Sequence, residues 1–264
     1  MDSAVVDVVE TEAPVRVFWA PGCTSCLRTK EFLAKQGVPF ESVNVVADPT
    51  GMAQLQALGA RSVPIVARAG RFVYAQSLAD VAQFLALDVR LDARLSPEVL
   101  VERVNIVVAA AMRYVRQMSD AELDGPFRNS WAPPRGLAHH VIRIVEAFLD
   151  AVEKPEELTY ESTMRGTHEV QPGQDVVGYG EAVLSRFNAW WDARRDRSAR
   201  ARMATYWGEQ SMQEVLERTT WHSAQHTRQL IVVLDSLGRS VDGRLGAADL
   251  QGLPLPEKAW DDDK

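Results

Sequence analysis

Val15-Arg16-Val17-Phe18-Trp19-Ala20-Pro21-Gly22-Cys23-Thr24-Ser25-Cys26-Leu27 decides how the first part of the chain folds. Its opening five residues, β-branched and aromatic, read as a strand. Pro21-Gly22 breaks that strand. From Thr24 to about Gln36, Leu27, Phe32 and Leu33 recur at helical spacing, with Gly37 as the stop. Cys23 therefore falls at a helix N-terminus, where the peptide dipoles favour a thiolate over a thiol. Cys26, three residues on, shares the same helical face and is placed to resolve a mixed disulfide. Further along, Phe40–Val46 reads as a strand and Met52–Leu58 as a helix ended by Gly59. Val63–Ala67 and Phe72–Ala75 form a hairpin around Ala69-Gly70, and Leu78–Leu87 an amphipathic helix. The order βαβαββα predicts an α/β domain. Pro64, in Ser62-Val63-Pro64 before a buried strand, stands where a cis X-Pro bond would set backbone opposite the cysteines.

With strand, Cys-x-x-Cys, helix and Val-Pro in this order, residues 14–87 resemble the glutaredoxin family of the thioredoxin-like fold. Trp19 to Cys26 and Ser62-Val63-Pro64 carry the resemblance. It implies that Cys23 is the catalytic nucleophile, that Cys26 is the resolving thiol, and that Val63 and Pro64 present backbone to a bound thiol. Many glutaredoxins hold the glutathione carboxylate with Gly-Gly and an acid after the last strand. Ala75-Gln76-Ser77-Leu78-Ala79-Asp80 departs from that pattern, so glutathione, another low-molecular-weight thiol and a protein thiol all stay open as partners. The plainer alternative for the cysteine pair is half of a zinc site, although the chain has only 2 cysteines.

After Leu87 the strand signals fade. Residues 88–95 are charged and read as a linker. Ser96-Pro97-Glu98 is a helix start, with Ser as cap and Pro in the first turn, and the helix should reach about Met118. Arg135–Val152, Gly178–Arg195 and Met212–Leu237 read as three more helices, the last ended by Gly238. The stretch 153–177 reads as a long connection able to hold a hairpin. These patterns predict an all-α four-helix bundle over residues 96–238, followed by a loose tail over 239–264.

Five histidines occur, all in this second half. His222 and His226 are four apart on a predicted helix, so their rings project from one face, a spacing that suits two imidazoles on one metal. Ser223 stands where the Glu of a His-Glu-x-x-His protease would be. On the second helix, His140 shares a face with Leu137, Val141 and Ile144 and points inward, while His139 lies with Ile142, Arg143 and Glu146. His140 is thus the expected third ligand. Three neutral imidazoles would leave an open coordination position for water or thiolate. Asp175, Asp192 and Glu209 are alternatives for one histidine. Trp190, Trp191, Trp207 and Trp221 are either core or pocket lining, and Tyr179, Trp221 and Arg228 are the candidate pocket groups.

Ser96 to about Leu237 also resembles the DinB-like four-helix family, which includes metal-dependent thiol S-transferases. Leu137-Ala138-His139-His140-Val141 and Thr220-Trp221-His222-Ser223-Ala224-Gln225-His226-Thr227-Arg228-Gln229-Leu230 carry this likeness. It implies a divalent metal, zinc or nickel, on His140, His222 and His226, binding a thiol's sulfur as thiolate and presenting it to an electrophile.

The rest of the composition bounds the partners. In 264 residues, 29 basic against 36 acidic side chains give a net charge of −7, which argues against a nucleic-acid partner. The run Arg194, Arg195, Arg197, Arg200 and Arg202 reads as a solvated helix end and loop. No apolar run approaches the roughly 18 residues of a membrane span. The start MDSAVVDVVETEAP carries acids and lacks a signal-peptide pattern, so a cytoplasmic protein is expected. The functional expectation is metal-dependent thiol S-transfer, or cleavage of a thiol conjugate, with a low-molecular-weight thiol co-substrate, coupled to dithiol–disulfide exchange. Two other classes compete: a redox or metal sensor with a structural metal, and a plain disulfide reductase whose bundle recruits its target. A homodimer is the expected assembly.

Overall fold

Alternation along Val15–Trp19 (β1) organises the first unit. Val15 and Val17 face one side of the sheet, with Phe32, Leu33, Val66, Val81 and Leu85. Phe18 faces the other, with Val43, Leu55, Ile65 and Ala67, as the period of two requires. The computed structural model describes residues 13–128, 130–154 and 156–260. The acidic stretch 1–12, on which the expectation about export rests, and tail residues 261–264 lie outside the described residues. The chain divides into two units, the second being Asp92–Leu255.

In the first unit, β1 is followed by α1 (Thr24–Lys35), β2 (Phe40–Asn44), α2 (Gly51–Ala57), β3 (Ile65–Arg68), β4 (Arg71–Tyr74) and α3 (Leu78–Phe84). The sheet order is β2-β1-β3-β4, with β1 parallel to β2 and antiparallel to β3. This is the thioredoxin-like arrangement. Strand β2 stops at Asn44, short of Val46, because the Asn44 side-chain oxygen captures the amides of Val46 and Ala47. Gly37, at φ +67°, ends α1 in the left-handed region that a side chain would resist. The Val63–Pro64 bond is cis.

The second unit is a bundle of α4 (Pro97–Val115), α6 (Pro134–Glu153), α8 (Val176–Asp192) and α9 (Met212–Ser236). Helix α9 packs on α4 and α6, and α8 packs on the same two helices. Ser96 caps α4, and a reciprocal Ser211–Glu214 capping box starts α9. Their apolar faces meet around Val104, Val108, Val141, Phe148, Phe187 and Leu230. The bundle also holds short helices α5 (Asp120–Asp124) and α7 (Tyr160–Met164) and a hairpin of β5 (Arg202–Thr205) and β6 (Gly208–Ser211).

Two expectations need correction. Among the described residues, the hairpin lies between the third and fourth bundle helices, and 153–177 holds α7 instead. The tail is not loose where it is described. Leu245 and Leu253 are buried in the bundle core, and a four-residue helix, α10, spans Ala247–Leu250. The Tyr114 hydroxyl accepts from the Leu245 amide at 2.8 Å, and the amides of Glu257 and Lys258 donate to Glu31 in the first unit. Two apolar anchors spaced eight residues apart give no periodic signal, which is why the sequence reads as unstructured there.

Candidate dithiol and metal sites

Pro21-Gly22 turns the chain from β1 into α1 and leaves Cys23 as the helix N-cap, its sulfur accepting the Cys26 amide at 3.2 Å. A disulfide joins Cys23 to Cys26, with their Cα atoms 5.2 Å apart. Cys23 is partly exposed, whereas Cys26 is fully buried. Where the glutaredoxin glycines would stand, the Ser25 hydroxyl donates to the Gln76 side-chain oxygen at 3.1 Å, and Arg28 donates to the Gln76 carbonyl at 2.7 Å. Ser77 caps α3. The stretch after β4 is thus filled by protein hydrogen bonds.

In the bundle, α6 carries His140 and α9 carries His222 and His226. The Ser223 hydroxyl, fully buried, donates to the Val141 carbonyl at 3.0 Å and pins the two helices beside the histidines. Ring centroids are 5.5 Å apart for His140–His222, 4.9 Å for His140–His226 and 4.9 Å for His222–His226. One ligand nitrogen from each lies within 4.8 Å of the others. Tetrahedral ligands at about 2.05 Å from a shared ion would be about 3.3 Å apart, so small ring rotations would close the set. Among the described residues no carboxylate or cysteine joins the cluster. Asp175 caps α8, while Asp192 and Glu209 are exposed beside Arg197 and Arg202.

The donors are chemically suited to a cation. His140 and His226 are 3% and 2% exposed. Burial holds His140 well below its ordinary titration range, helped by the neighbouring His226 and Arg218, and burial lowers His226 to about 4. Both rings are neutral at pH 7 and keep a lone pair to donate. The Thr163 carbonyl takes a hydrogen bond from the His140 ring, whose buried Nδ1 has no partner among the described residues. Nδ1 of His226 lies 2.8 Å from the Gln229 side-chain oxygen, which turns Nε2 toward the cluster.

Trp131, in the loop before α6, stands edge-on to His140, His168 and His226 at 5.2, 5.4 and 6.3 Å. It also lines a cavity of about 210 Å³ with Asp124, Arg135, Thr167, His168 and Val170. Tyr179, Trp221 and Arg228 do not line that cavity. Trp221 is 1% exposed and stacks on His222. Arg228 donates to Gln225 at 2.6 Å. Tyr179 stacks on His139, and its hydroxyl donates to Glu146 at 2.6 Å; burial and that carboxylate push the hydroxyl far above its ordinary range. Glu146 also pairs with Arg143, making a second polar cluster. Trp190 and Trp191 pack with Phe148 and Phe187 as core. The sequence reading missed Trp131, Thr163 and Gln229; of these only Gln229, three residues past His226, had a spacing that could have flagged it.

Residues 15–73 match the sequence model of the glutaredoxin family, and they form a glutaredoxin domain. The Gene 56 protein of Mycobacterium phage L5 is 40% identical over 55 residues, 20% of this chain and 53% of that protein. The chain thus spans about half the length of that curated relative. Among solved structures, YfiT from Bacillus subtilis, described as a probable metal-dependent hydrolase with an unusual four-helix bundle topology, is similar at a TM-score of 0.45 and 16% identity. That similarity covers 58% of this chain and 95% of the YfiT chain. Among the described residues, no helix is long and apolar enough to cross a membrane.

Proposed function

We propose that this protein performs metal-dependent thiol chemistry in its bundle, coupled to dithiol–disulfide exchange in its glutaredoxin domain. The reaction is transfer of a low-molecular-weight thiol's sulfur to a small electrophile, or cleavage of such a conjugate. The convergence of three imidazoles carries this reading, with Nδ1 of His140 unbonded among the described residues and His226 oriented by Gln229. His140, His222 and His226 would hold a divalent cation, zinc or nickel by the DinB-like resemblance. When bound, it supplies Lewis acidity that keeps a thiol ionised near neutral pH. The protein's own part is to keep His140 and His226 neutral by burial, to fix their orientation through Thr163 and Gln229, and to shield the cluster with Trp131.

In the dithiol half, the Cys23 thiolate attacks one sulfur of a disulfide, forming a mixed disulfide and releasing the first thiolate, which takes up a proton. The Cys26 thiolate then attacks Cys23 Sγ, expels the second thiolate, and leaves the Cys23–Cys26 disulfide. An external thiol reductant returns the two electrons. The cytoplasm and a homodimer belong to the same proposal.

The test is metal analysis of purified wild type beside His226→Ala, with activity assays of Cys23→Ser and His222→Ala. Stoichiometric metal in wild type and its loss in His226→Ala are expected. Unchanged metal content in the variant overturns the site. Complete loss of activity in Cys23→Ser with full activity in His222→Ala would leave a plain disulfide reductase.

A further inference from the structure

Trp131 has two neighbourhoods. Its ring stands edge-on to His140 and His226, and the same residue lines the cavity of about 210 Å³. That cavity forms where the loop before α6 and the loop after α7 meet the first turn of α6. Gly136 lets these parts approach, since a Cβ there would stand 3.1 Å from that of Ala132 and 3.4 Å from the Thr167 carbonyl. His140, His222 and His226 do not line it, so it is a space beside the imidazole cluster rather than within it.

Its walls differ in kind. Trp131, Pro133, Val170 and Pro172 offer flat or small apolar surfaces. Arg135 is 5% exposed and its charge is already matched: it pairs with Asp124 at 2.5 Å and Asp120 at 2.6 Å, and donates to the Gln174 carbonyl at 2.9 Å. Thr167 is 2% exposed, yet its hydroxyl has no hydrogen-bond partner among the described residues. Native folds leave few buried hydroxyls unpaired, and one on a residue of a cavity wall points to a ligand that completes it.

These walls define the ligand's chemistry. A cavity of about 150 Å³ takes benzene, so this one has room for a ring with a short substituent. An added anion would meet two carboxylates already engaged by Arg135, and an added cation would have to displace that guanidinium. An uncharged oxygen acceptor on the substituent would take the Thr167 hydroxyl proton in a hydrogen bond. A carbonyl conjugated to the reacting carbon is also what makes a small molecule electrophilic toward sulfur.

We propose that this cavity is the site of the small electrophile and takes an uncharged ring bearing a carbonyl oxygen, with Thr167 recognising that oxygen and Trp131 as the wall shared with the histidines. The inference rests on the metal-centre reading above and adds the substrate class to it.

The experiment follows four unreactive probes by fluorine NMR on the full-length protein with its disulfide intact. They are para-fluoroacetophenone, para-fluoroethylbenzene, para-fluorobenzoate and para-fluorobenzylamine. Metal-stripped protein should bind para-fluoroacetophenone saturably and about two- to tenfold more tightly than the ethyl analogue, the scale of one neutral hydrogen bond. The two charged probes should bind more weakly by about tenfold or more. Thr167→Val should erase the preference for the carbonyl, Thr167→Ser should keep it, and Val170→Trp should exclude every probe. Should Thr167→Val fail to fold, Thr167→Ala replaces it with the same expectation. Cobalt(II) then places the ring. The bound fluorine resonance should broaden in cobalt-loaded but not in zinc-loaded protein, and His226→Ala should remove the difference. No broadening by cobalt, or equal binding of the probes to wild type, Thr167→Val and Val170→Trp, overturns this inference and leaves the metal centre standing. Absence of cobalt uptake by the wild type removes the metal-centre reading and the electrophile site with it.

Discussion

The side-chain oxygen of Gln229 lies 2.8 Å from Nδ1 of His226, three residues earlier on the same helix. As an acceptor it takes a hydrogen bond from Nδ1–H, which keeps the ring proton on Nδ1 and leaves the Nε2 lone pair for the cluster. Replacing Gln229 by Leu keeps the volume but frees the ring to flip. Affinity for zinc should fall by about 10–100-fold, the usual effect of losing such a support. Competition with a chromophoric chelator measures it. Wild-type affinity in Gln229→Leu would show that packing alone orients His226.

Acid should weaken the metal-free fold through the same rings. Burial lowers His226 from 6.5 to about 4 and holds His140 well below its ordinary value. A group depressed in the fold binds fewer protons there than when unfolded, so stability rises with pH between the two values. The contribution is complete above about pH 6.5 and is lost as the pH falls toward 4. For His226 it is on the order of 3 kcal/mol. Urea denaturation of the metal-stripped protein at pH 7.5, 5.5 and 4.5 should show this decline, and His226→Gln should flatten it. A midpoint independent of pH across that window would contradict the neutral-ring assignment.

The two cysteines should separate by role. Cys23 is partly exposed at the helix start and Cys26 is fully buried, so a substrate disulfide can reach only the former. Cys23→Ser should abolish disulfide exchange. In Cys26→Ser, Cys23 should still attack the substrate disulfide and the protein should accumulate a mixed disulfide, visible as the added mass of the thiol in intact-protein mass spectrometry. Accumulation in Cys23→Ser instead would reverse the assignment.

How much of this could be read in advance follows from what kind of signal each feature leaves. The βαβαββα order was legible because β-branched runs and Gly37 and Gly59 punctuate it locally. The bundle helices were legible from period and caps, Ser96-Pro97 and Ser211 among them. His222 and His226 announced themselves by spacing, and His140 by sharing a face with Val141 and Ile144. Trp131 left no trace, since it lies in a loop and meets the histidines only once α6 and α9 have packed. The β5–β6 hairpin was hidden by the arginines before it and by polar Glu209, Gln210 and Ser211. Arg218 reads as an ordinary helical arginine until Tyr206 and Trp207 fold over it.

Ser223 provides the most direct check on whether helix spacing sets the site. It follows His222, accepts no solvent, and donates to the carbonyl of Val141, which follows His140. Ser223→Ala removes one neutral hydrogen bond, about 0.5–1.5 kcal/mol, and leaves no orphan because the carbonyl keeps its place in α6. Ser223→Val adds bulk between tightly packed helices and should cost about 1–3 kcal/mol. It should also drive His140 away from His222 and His226. Metal affinity is then expected to drop only slightly in Ser223→Ala and severely in Ser223→Val, with urea denaturation and chelator competition read side by side. Ser223→Glu, which would recreate the His-Glu-x-x-His pattern, should be the least stable, because a carboxylate there would be buried where only a hydroxyl fits. If Ser223→Val binds metal as wild type does, the seam between α6 and α9 does not control the distance on which the three-histidine site depends.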